Sequence, residues 1–354
     1  MKFIFTIALF LFAALPALVL SSFKEEPDFR TKPKPIKFIT PRGWPKPAKD
    51  IFAQNKLTEE GFALGKKLFY DGNLSLDGQT SCGSCHQQFA AFSTFDHDLS
   101  HGIGNSFTER NAPALFNLAW MPALHWDGGI NHIEVQPLSP ITAHNEMGET
   151  LANILIKIKS DSSYRRLFKK AFSSPTITSE KLLKALAQFT GSLVSCNSRY
   201  DQFKGGKIKL TGAEEKGYQV YKTSCASCHP EPLFTDYTYR NTGMDLNRFN
   251  DVGRQRITNL GSDSLKFKVP SLRNVQYTAP YMHDGRFNSL NMVINHYRNI
   301  NKELPSIDPD LRNMRPIAEK EAQFLIYFLY TLTDTSFTKN KRFSPDRPVP
   351  LKHQ

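Results

Sequence analysis

Residues 79–89 read QTSCGSCHQQF, and residues 222–232 read KTSCASCHPEP. These stretches gather four of the chain's five cysteines into two Cys-x-x-Cys-His frames: Cys82, Cys85 and His86, then Cys225, Cys228 and His229. Two thiols three residues apart can add to the two vinyl groups of one haem, and the adjacent histidine is then held beneath the iron as its proximal ligand. A redox Cys-x-x-Cys has no need of the histidine, and zinc would want both cysteine pairs brought together. The frames therefore read as attachment sites for two covalently bound haem c groups. Cys196, in SLVSCNSRYD, has no partner left and reads as a small core residue.

A chain of 354 residues is long enough for two domains with sizeable cores. Its 40% hydrophobic content, with 27 Phe, is that of a globular protein. Met1-Lys2 leads into the apolar run FIFTIALFLFAALPALVL (3–20) and then Ser21-Ser22. A short basic start, an apolar run and small residues describe an export signal, and the run is also near the lower limit for a membrane span. Residues 1–22 are thus expected to be a signal peptide or an N-terminal anchor, with the rest of the chain in the periplasm. Residues 23–50, rich in Pro and Lys, read as a linker or a wrapping arm. The net charge of +12 is spread along the chain, densest in RTKPKPIKF (30–38) and KNKRFSPDRP (339–348). Without a recognisable nucleic-acid module, it reads as a solvated surface biased toward acidic partners, with no nucleic-acid role.

The haem motifs are not the only echo. APALFNLAWMPALHWDGG (112–129) and VPSLRNVQYTAPYMHDGR (269–286) align without a gap, matching Pro113 to Pro270, Leu115 to Leu272, Asn117 to Asn274, Asp127 to Asp284 and Gly128 to Gly285. LTEEGFALGKKLF (57–69) recurs as LTGAEEKGYQVY (210–221), with Thr58 and Thr211 as N-caps and Glu214 completing a capping box. Segments 148–172, 178–195 and 318–334 carry apolar residues at helical spacing, whereas strand-like alternation is scarce. The expected fold is mainly α with long loops, built as two c-type cytochrome domains over residues 51–205 and 206–354.

With these motifs in order, the chain resembles the bacterial dihaem cytochrome c peroxidases and their relative MauG. The resemblance covers about residues 50–335 and rests on TERNAPALFN, HWDGG, EVQPLSPITAHNEMG, PSLRNV and PYMHDGRF. It implies that the haem at His86 meets peroxide, while the haem at His229 relays or stores oxidising equivalents. It further implies that Trp126 lies between the haems, and that Gln136 and Glu146 belong to the distal pocket. Asn111, with the backbone carbonyls of Thr278 and Pro280, matches an inter-domain calcium site, and these are the oxygen ligands Ca²⁺ takes. A carboxylate such as Glu146 can carry a proton from one peroxide oxygen to the other, a role worth about 10²–10⁴-fold. Gln136, an uncharged donor and acceptor, would orient peroxide or water.

Two departures from the family pattern stand out. Ile103 falls where some family peroxidases place a distal histidine; His101 is two residues earlier, and an open first site is the expectation. Tyr297 falls where the second haem's methionine ligand is expected, as in MauG, with His296, Met282 and Met314 as rivals. A phenolate would stabilise ferric and higher oxidation states. The resemblance implies reduction of hydrogen peroxide with electrons from a small soluble cytochrome or cupredoxin. Alternatives are MauG-like oxidation of a protein or other substrate, and a dihaem electron carrier. Family members are often dimers.

Overall fold

The computed structural model describes residues 32–346 apart from Pro305, so the expected signal peptide or anchor lies outside the described residues. No described helix is long and apolar enough to cross a membrane. The fold is mainly helical: the one two-stranded sheet among the described residues pairs Tyr239–Arg240 with Phe267–Lys268.

Helix starts follow the expected caps. The Thr58 hydroxyl accepts from Gly61 N at 3.0 Å to open Glu59–Phe69, and Thr211 and Glu214 form the capping box that opens Gly212–Ser224. The first long apolar segment divides into Leu151–Ser160 and Ser162–Phe172, because the Asp161 carboxylate caps the second helix by accepting from Ser163 N. Helices Ser179–Gly191 and Glu319–Tyr330 match the other two periodic segments.

Each half pairs an opening helix with a returning one, through a glycine that lets the backbones touch. A Cβ on Gly65 would lie 1.9 Å from the Ala185 carbonyl oxygen and 2.9 Å from Phe189 Cβ. A Cβ on Gly217 would lie 1.9 Å from the Phe324 carbonyl oxygen and 2.8 Å from Phe328 Cβ. The same contact is thus built twice.

The loops repeat too. Asn117 and Asn274 both adopt left-handed backbone, at φ 57° and 56°, as Asn tolerates. Asn117 N donates to Leu193 O and its side-chain oxygen accepts from Ser195 N; Asn274 N donates to Leu332 O and its side-chain oxygen accepts from Asp334 N. Both asparagines therefore clamp the chain leaving a returning helix. They meet at Ser195, whose hydroxyl accepts from Asn274 Nδ2 at 2.9 Å.

Two hydrophobic cores follow from the two helix pairs. Phe69, Phe92, Phe168 and Phe189 anchor one, and Tyr221, Phe234 and Phe328 anchor the other. Tyr200 and Phe203 pack in the second core, whereas Phe337 and Phe343, near the C-terminus, return to the first. The described part of the Pro/Lys-rich segment packs as an arm. Ile36 N donates to Leu57 O, Trp44 meets Trp120 edge-on at 5.0 Å, and Pro45 O accepts from the Trp120 indole.

Candidate active site

The two Cys-x-x-Cys-His turns face one cavity of about 550 Å³, lined by Cys85, His86, Cys225, Cys228 and His229 among others. Each histidine is held the same way. His86 Nδ1 lies 2.9 Å from Phe92 O, and His229 Nδ1 lies 3.0 Å from Phe234 O. Left-handed backbone at both Phe92 (φ 61°) and Phe234 (φ 56°) accompanies those carbonyls. Burial lowers His86 to about 4 and lowers His229 too, so both rings are neutral near pH 7. A neutral imidazole that donates through Nδ1 keeps Nε2 free as a ligand atom.

Burial pushes the Cys82 and Cys225 thiols up to about 12, so they are neutral thiols in dry surroundings. A thiol pair, an oriented neutral histidine and an apolar wall at each motif fit a covalently attached haem.

The distal candidates lie on the same cavity: Trp126, Gln136 and Glu146 all line it. The Gln136 amide nitrogen lies 3.4 Å from His125 Nε2. Burial, followed by the charge of Glu109, raises the Glu146 carboxyl above its usual range. The adjacent acid that supports the following helix is Glu149, which accepts from Lys157 at 2.6 Å and from Asn153 Nδ2 at 3.0 Å. Glu146 is thereby left to the cavity. Neither His101 nor Ile103 lines it: Ile103 N donates to Glu146 O at 2.9 Å, and the His101 ring packs between His97 (4.8 Å) and Phe107 (4.5 Å).

Asn111, Thr278 and Pro280 also line the cavity, and Asn111 Nδ2 donates to Pro280 O at 3.2 Å. Turning that amide over would put its oxygen beside the carbonyl, a pair of neutral oxygens of the kind Ca²⁺ accepts. Trp126 Nε1 donates to Asn111 O at 2.9 Å.

Around the second motif, Tyr297 lines the cavity with its rivals Met282 and Met314. Burial and then the nearby thiols Cys228 and Cys225 raise the Tyr297 phenol, so only a bound cation's charge would release its proton. His296 is engaged elsewhere, its Nε2 lying 2.8 Å from Thr242 O.

Three residues have places in the site that the sequence did not assign them, His125 among them, which reads from sequence as a surface or structural histidine. His125 lines the cavity beside Gln136, and burial lowers its pKa. Arg110 donates to both oxygens of Asp251, at 2.6 and 2.7 Å, and to Asp127 at 2.5 Å, tying the Asp-Gly turn to a loop of the second half. Lys268 is buried, lowered to about 7 by that burial, and donates to Ala123 O. Arg110 and His125 sit inside the TERN and HWDGG motifs, so motif membership was the available signal; Lys268 carried none.

Two Cys-x-x-Cys-His turns that fit haem and open on a shared cavity, in a mainly helical chain, point to the class of dihaem c-type oxidoreductases. The chain belongs to the family of dihaem cytochrome c peroxidases and MauG proteins. The family described as "Di-haem cytochrome c peroxidase" matches residues 59–209. The methylamine utilization protein MauG of Methylorubrum extorquens is 35% identical over 286 residues, which is 78% of this chain and 79% of that one. Cytochrome c551 peroxidase of Nitrosomonas europaea is 33% identical over 238 residues, 65% of this chain and 70% of that one. Among solved structures, a MauG-like protein associated with microbial copper homeostasis superposes with a TM-score of 0.81 at 32% identity, covering 88% of this chain and 99% of that one. The family thus includes both MauG and cytochrome c peroxidases.

Proposed function

We propose that this chain is a periplasmic dihaem peroxidase that catalyses H₂O₂ + 2H⁺ + 2e⁻ → 2H₂O. The observation that carries the reading is that Glu146 and Gln136 share one cavity with His86. A haem at each motif, held by Cys82, Cys85 and His86 and by Cys225, Cys228 and His229, would supply the iron that takes up peroxide and passes electrons. Glu146 accepts the proton from one peroxide oxygen and returns it to the departing one, and its raised pKa suits both steps. Gln136 orients the peroxide, with His125 fixing the amide. Trp126 would conduct electrons between the two sites, and Asn111 with the Thr278 and Pro280 carbonyls would hold Ca²⁺. The apolar N-terminus supports export, and the net charge of +12 favours an acidic cytochrome or cupredoxin as donor.

Tyr297 beside Cys225 and Cys228 favours a second reading, MauG-like oxidation of a protein or other substrate by long-range electron transfer. A simple electron carrier would leave Glu146 and Gln136 without work. Steady-state turnover of purified protein with H₂O₂ and reduced cytochrome c tests the proposal. Peroxide consumption matched by cytochrome oxidation supports a peroxidase; spectral change with peroxide but no cytochrome turnover supports the second reading.

A further inference from the structure

The two halves differ chemically where they are alike in shape. Counted from the paired glycines Gly65 and Gly217, Tyr218 and Tyr221 stand where the first half has Lys66 and Phe69. Phe69 packs on Phe92 at 5.9 Å and Phe189 at 5.1 Å; Tyr221 packs on Phe234 at 5.3 Å and Phe328 at 5.0 Å. Phenylalanine therefore satisfies the packing, and the second half carries a hydroxyl that packing does not need.

Both hydroxyls are placed. Tyr221 donates to the backbone carbonyl of His229 at 2.5 Å, which couples its ring to the haem motif's histidine. The Tyr221 and Tyr218 rings lie nearly parallel, 11° apart, with centroids at 6.1 Å. Tyr218 donates to Glu231 Oε1 at 2.6 Å, and Lys204 meets the other carboxylate oxygen at 2.9 Å near the surface. In the first half the neighbouring phenol, Tyr70, donates to the Phe343 carbonyl, which accepts a hydrogen bond but takes no proton.

We propose that Tyr218 is a redox-active residue, giving one electron through Tyr221 to the peroxide-oxidised second haem. The inference rests on the peroxide chemistry proposed above. Tyr218 loses an electron and a proton together. The electron reduces the haem group oxidised by H₂O₂, and the proton crosses the hydrogen bond to the Glu231 carboxylate. A neutral tyrosyl remains just below the surface, where an electron from a reducing partner and the proton returned by Glu231 restore the phenol.

The test uses full-length holoprotein containing ring-deuterated tyrosine, mixed with H₂O₂ and freeze-quenched for electron paramagnetic resonance, with the haem Soret band followed in parallel. The expected result is a tyrosine-derived radical, narrowed by the label, that persists in Tyr70→Phe and disappears in Tyr218→Phe. Glu231→Gln, which keeps a hydrogen-bonding side chain but accepts no proton, should slow radical formation about a hundredfold, the lower end of what a positioned proton acceptor supplies. A Soret change without a tyrosine signal, or a signal that survives Tyr218→Phe, overturns the relay and leaves the peroxide reading standing. A Soret band that peroxide does not alter overturns both.

Discussion

The Trp126 indole donates to the backbone carbonyl of Asn111 at 2.9 Å, and the Asn111 side chain in turn donates to the Pro280 carbonyl at 3.2 Å. The proposed electron relay and the proposed calcium ligand are thus one hydrogen bond apart. Removing Ca²⁺ by chelation should therefore disturb the indole and slow electron transfer between the two haem sites. Transient absorption of the two haems measures that rate, and an unchanged rate in calcium-free protein would remove Asn111 from the conducting assembly.

Glu146 gives a prediction with a definite pH sign. Its folded pKa is raised, chiefly by burial, above the ordinary glutamate value of about 4.3. The carboxylate needed to take the peroxide proton is therefore lost as pH falls through that raised value. The kcat/KM profile should show an acid limb, and Glu146→Gln should abolish the limb and slow turnover at least about a hundredfold with both haems still attached. Near-normal turnover by that variant would assign the proton transfer to another group.

Tyr297→Phe removes one oxygen and leaves the ring to fill its buried place. If the phenol ligates the second haem, the low-spin ferric spectrum must change. Identical spectra for the two proteins would return the sixth position to Met282 or Met314, both of which line the same cavity.

The paired glycines predict matched instabilities. Gly65→Ala and Gly217→Ala each push a methyl against a backbone carbonyl at 1.9 Å, which cannot swing aside like a side chain. Each should cost about 1–3 kcal/mol or more by overpacking and lower Tm. Gly212→Ala, with nothing within 4 Å of the added methyl, is the control that should leave Tm almost unmoved.

Arg273 is wholly buried and makes two 2.8 Å bonds to Asp201. Burial alone would raise the Asp201 carboxyl, but Arg273 outweighs it and holds the pKa below the usual carboxylate range. A folded pKa below the unfolded one means that the stabilisation is complete above about pH 3.9 and is lost as pH falls through the folded value. Arg273→Met should destabilise by about 3–5 kcal/mol at pH 7 and flatten this acid limb, as chemical denaturation across pH would record.

Sequence read the repeated parts well and the unrepeated parts poorly. Thr58, Thr211 and Glu214 announce helix starts because capping is local chemistry, and the loops matched at Asn117 and Asn274 announce the duplication because φ near +57° narrows the choice of residue. His86 is marked by its Cys-x-x-Cys-His frame, whereas Glu146 and Tyr297 stand out only by resemblance to the family's motifs. Lys268, by contrast, is an ordinary lysine until a loop from the other half folds Ala123 O onto it. Glu231 and Tyr218 are equally silent, since their bond joins residues on different elements. Such contacts depend on loop geometry, which local composition does not encode.

The return of Phe337 and Phe343 to the first core has a consequence for how such a molecule could be divided. Two copies merely strung end to end could be snipped at the joint into self-sufficient proteins, but here the last turn of the second copy supplies a wall of the first. A protease nick or an engineered split after Asp334 would strip aromatic packing from the far half while leaving the near one nearly whole. The repeated halves are laced together at that turn, and cutting it would undo one of them more than the other.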